Sequence, residues 1–151
     1  MLFDEEMMLL ATDEARAGAA LGEVPVGAVI TDGEGNVIAS AHNTRETEGK
    51  PTGHAEINAI ELAAKNVGSR RLSECTLYVT LEPCPMCAGA IINSGLKRLV
   101  YGAFDEKGGA CSSVLNLFEY GFCHRPLVRS RILEKECAAL MTDFFAELRK
   151  T

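Results

Sequence analysis

Two short segments combine three metal-ligand side chains with a free carboxylate. The tripeptide His-Ala-Glu occupies residues 54–56, and Pro-Cys-Pro-Met-Cys occupies residues 83–87. One imidazole and two thiolates are good zinc ligands, and a catalytic zinc site holds three protein ligands while water takes the fourth position. Zinc lowers the pKa of that water to about 7, which makes hydroxide available at neutral pH. The pattern therefore predicts a hydrolytic zinc site with His54, Cys84 and Cys87 as ligands.

The carboxylate of Glu56 is predicted to move protons in this site. It can carry the proton of the attacking water to the substrate and then to the leaving group. A glutamate in the first turn of a helix can also simply complement the helix dipole. Because Glu56 stands two residues after a predicted metal ligand, the spacing favours the catalytic interpretation.

The two cysteines of the second segment permit other chemistry as well. Cys84 and Cys87 are three residues apart at a predicted helix start, where both thiols share one face and free amides stabilise thiolates. A thioredoxin-like redox pair has the same local pattern. A structural zinc module is a second alternative, with His42 or His124 as the fourth ligand. The nearby His-Ala-Glu segment favours the catalytic zinc site over both.

The composition indicates an ordinary globular protein. The chain has 151 residues, of which 47% are hydrophobic and 24% are charged, and this length predicts a single domain over residues 1–151. No apolar run approaches the ~20 residues that span a bilayer. Four cysteines outside the motif lack paired spacing and are interpreted as small buried hydrophobic residues in a reducing, cytoplasmic compartment. They are Cys75, Cys111, Cys123 and Cys137.

The net charge limits the classes of partner. It is −6 at pH 7, with a sequence pI of about 5.1. Sequence-blind binding of nucleic acid needs a basic surface. The charge therefore argues against such binding, and by itself it predicts an enzyme that acts on small molecules.

Hydrophobic periodicity and turn residues predict helices and strands that alternate along the chain. The predicted helices are 4–20, 54–66, 84–93, 114–118 and 132–150, with Asp4 as the N-cap of the first. The predicted strands are 24–31, 36–41, 76–81, 96–101 and, at the sheet edge, 127–130. This alternation predicts an α/β fold, a three-layer α/β/α sandwich. The opening hairpin requires one antiparallel pair, so the five-stranded sheet is predicted to be mixed.

The motifs also resemble those of a known family. His-x-Glu with Pro-Cys-x-x-Cys is the signature of zinc-dependent nucleobase deaminases. Over about residues 4–150 the chain is similar to bacterial tRNA-specific adenosine deaminases, in segments 23–29, 77–84, 86–90 and 136–140 and at Asn43. The resemblance implies a cytidine-deaminase-like fold, one zinc ion per chain and a homodimer. It also implies that the wobble adenosine of a tRNA anticodon stem-loop is converted to inosine.

The resemblance further implies which residues contact the substrate. Asn43 is expected to hydrogen-bond to the flipped nucleotide, and Val26 is expected to lie against the base. The backbone of Ala55 would read the base edge. Asp105 and Lys107 would contact the anticodon backbone.

Two questions stay open in the sequence. Phe144 and Phe145 either pack the last helix against the core or, beside Arg149 and Lys150, stack on splayed bases. The zinc motif also occurs in deaminases of free nucleobases or nucleosides, of the guanine or cytosine type. A zinc-bearing RNA-binding module without activity is the non-enzymatic alternative.

Overall fold

Five strands form one mixed sheet in this computed structural model, which describes residues 1–150. The elements, in chain order, are α1 (Phe3–Ala19), β1 (Gly27–Thr31), β2 (Val37–His42), α2 (Ala55–Val67), β3 (Thr76–Leu81), α3 (Pro85–Ser94), β4 (Arg98–Ala103), β5 (Leu127–Arg129) and α4 (Glu134–Arg149). The strand order is β2-β1-β3-β4-β5. Strand β1 runs antiparallel to β2 and β3, whereas β3, β4 and β5 are mutually parallel. The predicted mixed five-stranded sheet is confirmed.

The sheet separates two apolar layers. Helices α2 and α3 cover one face, and α1 and α4 cover the other. The alternation of side chains along β1 feeds both layers, because Ala28 and Ile30 face the α2 and α3 side while Val29 faces α1. All five residues of β1 are buried, as a strand covered on both faces requires. This arrangement is the predicted three-layer α/β/α sandwich.

Several predicted boundaries need correction. The predicted helix 114–118 is wrong, because only Leu117–Glu119 forms a short 3-10 helix, capped by the Asn116 side chain. The last helix begins at Glu134 instead of residue 132, since Arg131 and Leu133 have left-handed backbone angles (φ 68° and 54°). The predicted edge strand is present as β5. No helix within residues 1–150 is long and apolar enough to cross a membrane.

The prediction that Asp4 caps the first helix is wrong. Helix α1 begins at Phe3, and Asp4 lies inside its first turn, almost fully buried. Its carboxylate accepts hydrogen bonds from the Tyr78 hydroxyl (3.0 Å), Arg98 Nη2 (2.8 Å) and Arg129 Nη1 (2.8 Å). A tertiary ion pair thus uses the carboxylate that a local capping pattern would have used. Asp4 ties α1 to β3, β4 and β5.

We expect Asp4→Asn to destabilise the fold in a pH-dependent way. Burial raises the pKa of Asp4, but hydrogen bonds from Arg98, Arg129 and Tyr78, together with the charge of Arg98, outweigh it and hold the pKa below its ordinary value of 3.8. A lowered folded-state pKa contributes stability that is complete above the ordinary value and is lost as the pH falls through the lowered one. At pH 7 urea unfolding should show a loss of about 1–3 kcal/mol.

The exposed Glu6→Gln, in the same helical turn, is the matched control and should change stability by less than about 0.5 kcal/mol. The difference between wild type and Asp4→Asn should shrink at acid pH. A difference that grew as the pH fell would contradict this account of Asp4.

Candidate metal centre and catalytic cavity

The starts of two helices bring the three predicted metal ligands together. His54 is the residue before α2, and Cys84 is the residue before α3; both have extended backbone angles. Pro85 occupies the first turn of α3, where a missing amide hydrogen costs no hydrogen bond. Cys87 follows three residues after Cys84, on the same face of the helix. Both helices therefore point their N-terminal ends at one place.

The distances between the ligand atoms suit a tetrahedral zinc ion. His54 Nδ1 lies 3.5 Å from Cys84 Sγ and 3.5 Å from Cys87 Sγ. Zinc–sulfur and zinc–nitrogen bonds of about 2.3 and 2.0–2.1 Å, at a tetrahedral angle, separate their ligand atoms by about 3.6 Å. Among residues 1–150 this is the group of three potential ligands whose atoms all lie within 4.8 Å of one another. The three side chains are arranged to hold a metal ion.

The two histidines proposed as a fourth ligand are engaged elsewhere. His42 Nδ1 lies 2.9 Å from Glu14 Oε2, and His124 Nε2 lies 2.7 Å from the carbonyl oxygen of Leu96. Neither histidine belongs to the group of ligand atoms that the described residues form. The arrangement has three protein ligands, as catalytic zinc sites do, and lacks the fourth that a closed structural site requires.

The remaining cysteines do not pair. All six cysteines are free thiols, and Cys75, Cys111 and Cys137 are buried as predicted. The prediction is wrong for Cys123, which is exposed in the segment that follows the short 3-10 helix.

The two ligand thiols share one proton unequally. A hydrogen bond from the Cys87 thiol lowers the pKa of Cys84 to about 4, with further help from His54 and from the backbone N–H of Cys87. The same hydrogen bond, together with burial, raises the pKa of Cys87 above its ordinary range. The hydrogen bond to Cys84 also raises the pKa of His54. The protein thus holds a thiolate ready at the centre of the group.

Glu56 places a buried carboxyl group beside these ligands. It is the second residue of α2 and is 4% exposed. Burial raises the pKa of Glu56 to about 7, because an interior disfavours the charged carboxylate. A divalent cation on the neighbouring ligand atoms would favour the carboxylate form instead.

A cavity of about 150 Å³ opens onto this centre. The predicted site residues that line it are Val26, Asn43, His54, Glu56, Cys84 and Asp105. Five further residues line it that the sequence did not single out as site residues, namely Val24, Arg45, Leu81, Glu82 and Met141. Two of the three predicted ligands, the carboxyl group and three predicted substrate contacts therefore meet at one cavity, and Cys87 lies behind it with the other ligand atoms.

Asn43 and Ala55 are joined directly. The buried Asn43 Oδ1 accepts a hydrogen bond of 2.8 Å from the backbone N–H of Ala55. This bond supplies a partner for a free amide at the start of α2. It also orients the Asn43 side chain so that its NH₂ group is the donor left for a ligand in the cavity. The N–H of Ala55 is occupied by the same bond.

A second groove, of about 490 Å³, continues from the cavity toward α4. Leu81, Asp105 and Met141 line both spaces, and Lys107 lines the groove. Phe144 does not line either of these two spaces; it is half-buried and meets Phe145 edge to face at 5.4 Å. The structure therefore brings Asp105 and Lys107 toward the cavity and leaves Phe144 away from it.

The cavity residues that the sequence analysis missed differ in whether a sequence pattern could have identified them. Arg45 follows Asn43 by two positions in a polar loop, which is a signal that could have found it. Glu82 belongs to a segment that is similar to the family. It lies between a predicted strand and the metal motif, so no local pattern marks it as a site residue. Met141 has the spacing of a core residue in the last helix, and sequence offers no sign that this helix reaches the cavity.

Comparison with known proteins places these features in context. The family model described as MafB19-like deaminase matches residues 3–149. A tRNA-specific adenosine deaminase of Bacillus subtilis (strain 168) is 49% identical over 99% of this chain and 93% of its own length.

Two solved structures with the same fold come from deaminases that are named for different substrates. One comes from work on A-to-I editing by tRNA:A34 deaminases at the wobble position of transfer RNA. It has a TM-score of 0.86 and 44% identity, over 89% of this chain and 98% of that one. A guanine deaminase of Nitrosomonas europaea is more distant, with a TM-score of 0.76 and 25% identity over 94% of this chain and 84% of its own. The similarity is thus greater to the enzyme that acts on tRNA.

Proposed function

We propose that this chain, which belongs to the MafB19-like deaminase family, converts adenosine to inosine in tRNA. One observation carries the chemistry: the ligand atoms of His54, Cys84 and Cys87 lie within 4.8 Å of one another, and His54 and Cys84 line a small cavity that a buried glutamate also lines. The substrate class rests on near full-length similarity to tRNA-specific adenosine deaminases. The target we assign is the wobble adenosine of an anticodon stem-loop, which is the position named for the related tRNA:A34 deaminases. The chain acts as one deaminase domain over residues 1–151.

The ligand set of the proposed reaction is His54 Nδ1, Cys84 Sγ and Cys87 Sγ, with one zinc ion per chain. The mixed nitrogen and sulfur donors, and their separations, suit this metal. Zinc bound there would supply a water of pKa about 7 as the nucleophile. Cys84 and Cys87 hold the negative charge that offsets the cation, and the helix N-termini behind them stabilise the thiolates.

Glu56 performs the proton transfers in this proposal. It removes a proton from water as the oxygen bonds to carbon 6 of adenine, and it delivers that proton to the ring nitrogen. It then takes the remaining hydroxyl proton and gives it to the departing amino group, as the bond from carbon 6 to nitrogen breaks. Adenosine and water thereby yield inosine and ammonia, and the carboxylate is regenerated.

The cavity walls assign contacts to the nucleotide. Asn43 would donate to the flipped base through its NH₂ group, because Ala55 already holds its oxygen. Val26 would lie against the base as an apolar wall. Asp105 and Lys107 would meet the RNA backbone where the cavity passes into the groove. The backbone of Ala55 therefore acts on the base through Asn43, and Phe144 contacts only RNA that extends beyond the groove.

We place the enzyme in the cytoplasm as a homodimer. Large apolar side chains are exposed from the end of the short 3-10 helix to the first residue of β5, at Tyr120, Phe122 and Leu127. Exposed apolar patches are a mark of protein–protein contact. Light scattering at micromolar concentration should give twice the 16.2 kDa chain mass. A monomer across the working concentration range would contradict the dimer.

The metal assignment predicts the zinc content. Protein purified without chelator should carry about one zinc ion per chain by elemental analysis. Cys87→Ser should lose most of it, because a serine oxygen is a poor replacement for a thiolate ligand. Cys75→Ser, at a buried cysteine outside the group, should retain zinc. A zinc-free protein with an oxidised Cys84–Cys87 pair in reducing buffer would support the redox alternative.

The role of Glu56 predicts that a variant without this carboxyl group binds zinc normally but has a low rate of turnover. Glu56→Ala should keep the fold and the zinc, since Glu56 is not among the ligands. Its rate of ammonia release should fall by at least about 10²- to 10⁴-fold, the usual worth of general acid–base catalysis. Glu61→Ala, in the same helix and exposed, should leave the rate unchanged. Normal turnover by Glu56→Ala would remove this residue from the mechanism.

The substrate class is tested by ammonia release from matched substrates. An anticodon stem-loop with adenosine at the wobble position should exceed free adenosine, guanine and cytidine in kcat/KM by at least about 10³-fold, because only the stem-loop reaches the loop contacts outside the cavity. Equal kcat/KM for guanine would favour the free-base alternative. Binding of the stem-loop without ammonia release would favour a zinc-bearing RNA-binding module.

A further inference from the structure

Two buried glutamates that take no part in the proposed proton transfers lie next to the cavity. Glu82 directly follows β3, and Glu23 lies between α1 and β1. They are 2% and 1% exposed, respectively. A carboxylate in a protein interior is costly unless hydrogen bonds satisfy it. The partners of these two carboxylates therefore indicate what each one holds.

Glu82 is bonded to a single loop. Its carboxylate accepts hydrogen bonds from the backbone N–H groups of Asp105 (3.1 Å), Cys111 (3.1 Å), Ser112 (2.8 Å) and Ser113 (2.9 Å). The Ser113 hydroxyl donates a further bond. We call residues 104–113 the distal loop; it carries Asp105 and Lys107. Glu82 thus gathers both ends of the distal loop onto one charged group.

Glu23 anchors a second loop that reaches the cavity. Its carboxylate accepts from the backbone N–H of Glu46 (3.2 and 3.1 Å) and of Thr47 (2.6 Å). We call residues 43–53 the proximal loop; it carries Asn43 and Arg45, which line the cavity. Residues 45–52 are all exposed, so apolar burial does not hold this part of the loop. The bonds to Glu23 are its attachment to the body of the protein.

Gly109 shows how closely the distal loop fits its anchor. A Cβ atom on Gly109 would lie 2.3 Å from Cδ and 2.4 Å from each oxygen of the Glu82 carboxylate. Its backbone is outside the left-handed region, so glycine is needed here for space and not for conformation. Any larger residue at this position would push the carboxylate away from the amides that it accepts.

We propose that Glu82 and Glu23 are positioning residues for RNA binding, which fix the distal and proximal loops as walls of the cavity. Glu82 sets the place of Asp105 and Lys107, and Glu23 sets the place of Arg45. Neither glutamate reacts with the base. This inference rests on the proposed function, because it assigns the two loops to the RNA that enters the cavity.

The test compares Glu82→Gln and Glu23→Gln with wild type, using zinc-loaded protein and the adenosine stem-loop. A glutamine offers one acceptor oxygen and sets an NH₂ group against backbone N–H donors, so the loop loses its anchor. KM should rise by about tenfold while kcat changes by less than about threefold, because loop contacts contribute uniform binding. Amide hydrogen exchange should accelerate in residues 105–113 for Glu82→Gln and at residues 46–47 for Glu23→Gln. In each variant, exchange in the other loop should stay as in wild type.

Gly109→Ala provides an independent way to release the distal loop from Glu82. Its methyl group displaces the Glu82 carboxylate, so it should reproduce the KM and the exchange pattern of Glu82→Gln. Gly33→Ala, in the turn between β1 and β2 and outside both loops, is the control for a glycine substitution; its Cβ would lie 3.3 Å from the Cβ of Glu74. Asp4→Asn is the control for lost stability, because Asp4 is a buried carboxylate outside both loops. Both controls should leave KM unchanged.

Different results separate this inference from the proposed function. If Glu82→Gln and Gly109→Ala keep wild-type KM and exchange, or if Asp4→Asn raises KM equally, the positioning role is wrong. If Glu82→Gln does not fold, Gly109→Ala decides by the same two measurements. If wild type does not deaminate the stem-loop, the proposed function fails. In that case, amide hydrogen exchange in the two loops of Glu82→Gln and Glu23→Gln still decides whether the two glutamates anchor the loops.

Discussion

The fold depends on one electrostatic constraint, which is that two helix N-termini point at the same place. The ends of α2 and α3 each present free N–H groups with partial positive charge. Such ends would repel a cation, and also each other, unless negative charge lay between them. Cys84, whose pKa is lowered to about 4 by the hydrogen bond from the Cys87 thiol, supplies that charge. The same thiolate that makes the helix ends compatible therefore belongs to the group of three side chains that could hold a metal ion.

Buried carboxyl groups accept hydrogen bonds from the remaining backbone N–H groups around the cavity. They differ in the number of these partners and therefore in pKa. Glu82 and Glu23 accept several backbone N–H groups each. These bonds outweigh burial and hold the pKa of each below its ordinary value. Glu56 has fewer such partners, and burial raises its pKa to about 7. The three glutamates at or near the cavity thus divide into two fixed anions and one group suited to proton transfer.

The acidic net charge is compatible with RNA binding if the RNA contacts only the cavity and its two loops. Recognition through a small cavity and two loops needs few cations, unlike a broad basic surface that binds nucleic acid without regard to sequence. Arg45 and Lys107 are the basic residues at the cavity and the groove. A charge of −6 over the chain argues against the broad mode of binding and is compatible with the local one.

The sequence by itself indicated the three potential metal ligands, the neighbouring Glu56 and the alternation of strands and helices along the chain. These features follow from local rules, since ligand spacing, helix starts and alternating burial are all set by residues close together in the chain. Only the tertiary structure decided the role of Asp4, which looked like a cap and is an ion-pair partner of Arg98 and Arg129. It also decided that Met141 reaches the cavity and Phe144 does not. Those outcomes depend on contacts between elements distant in the chain, and local periodicity carries no information about them.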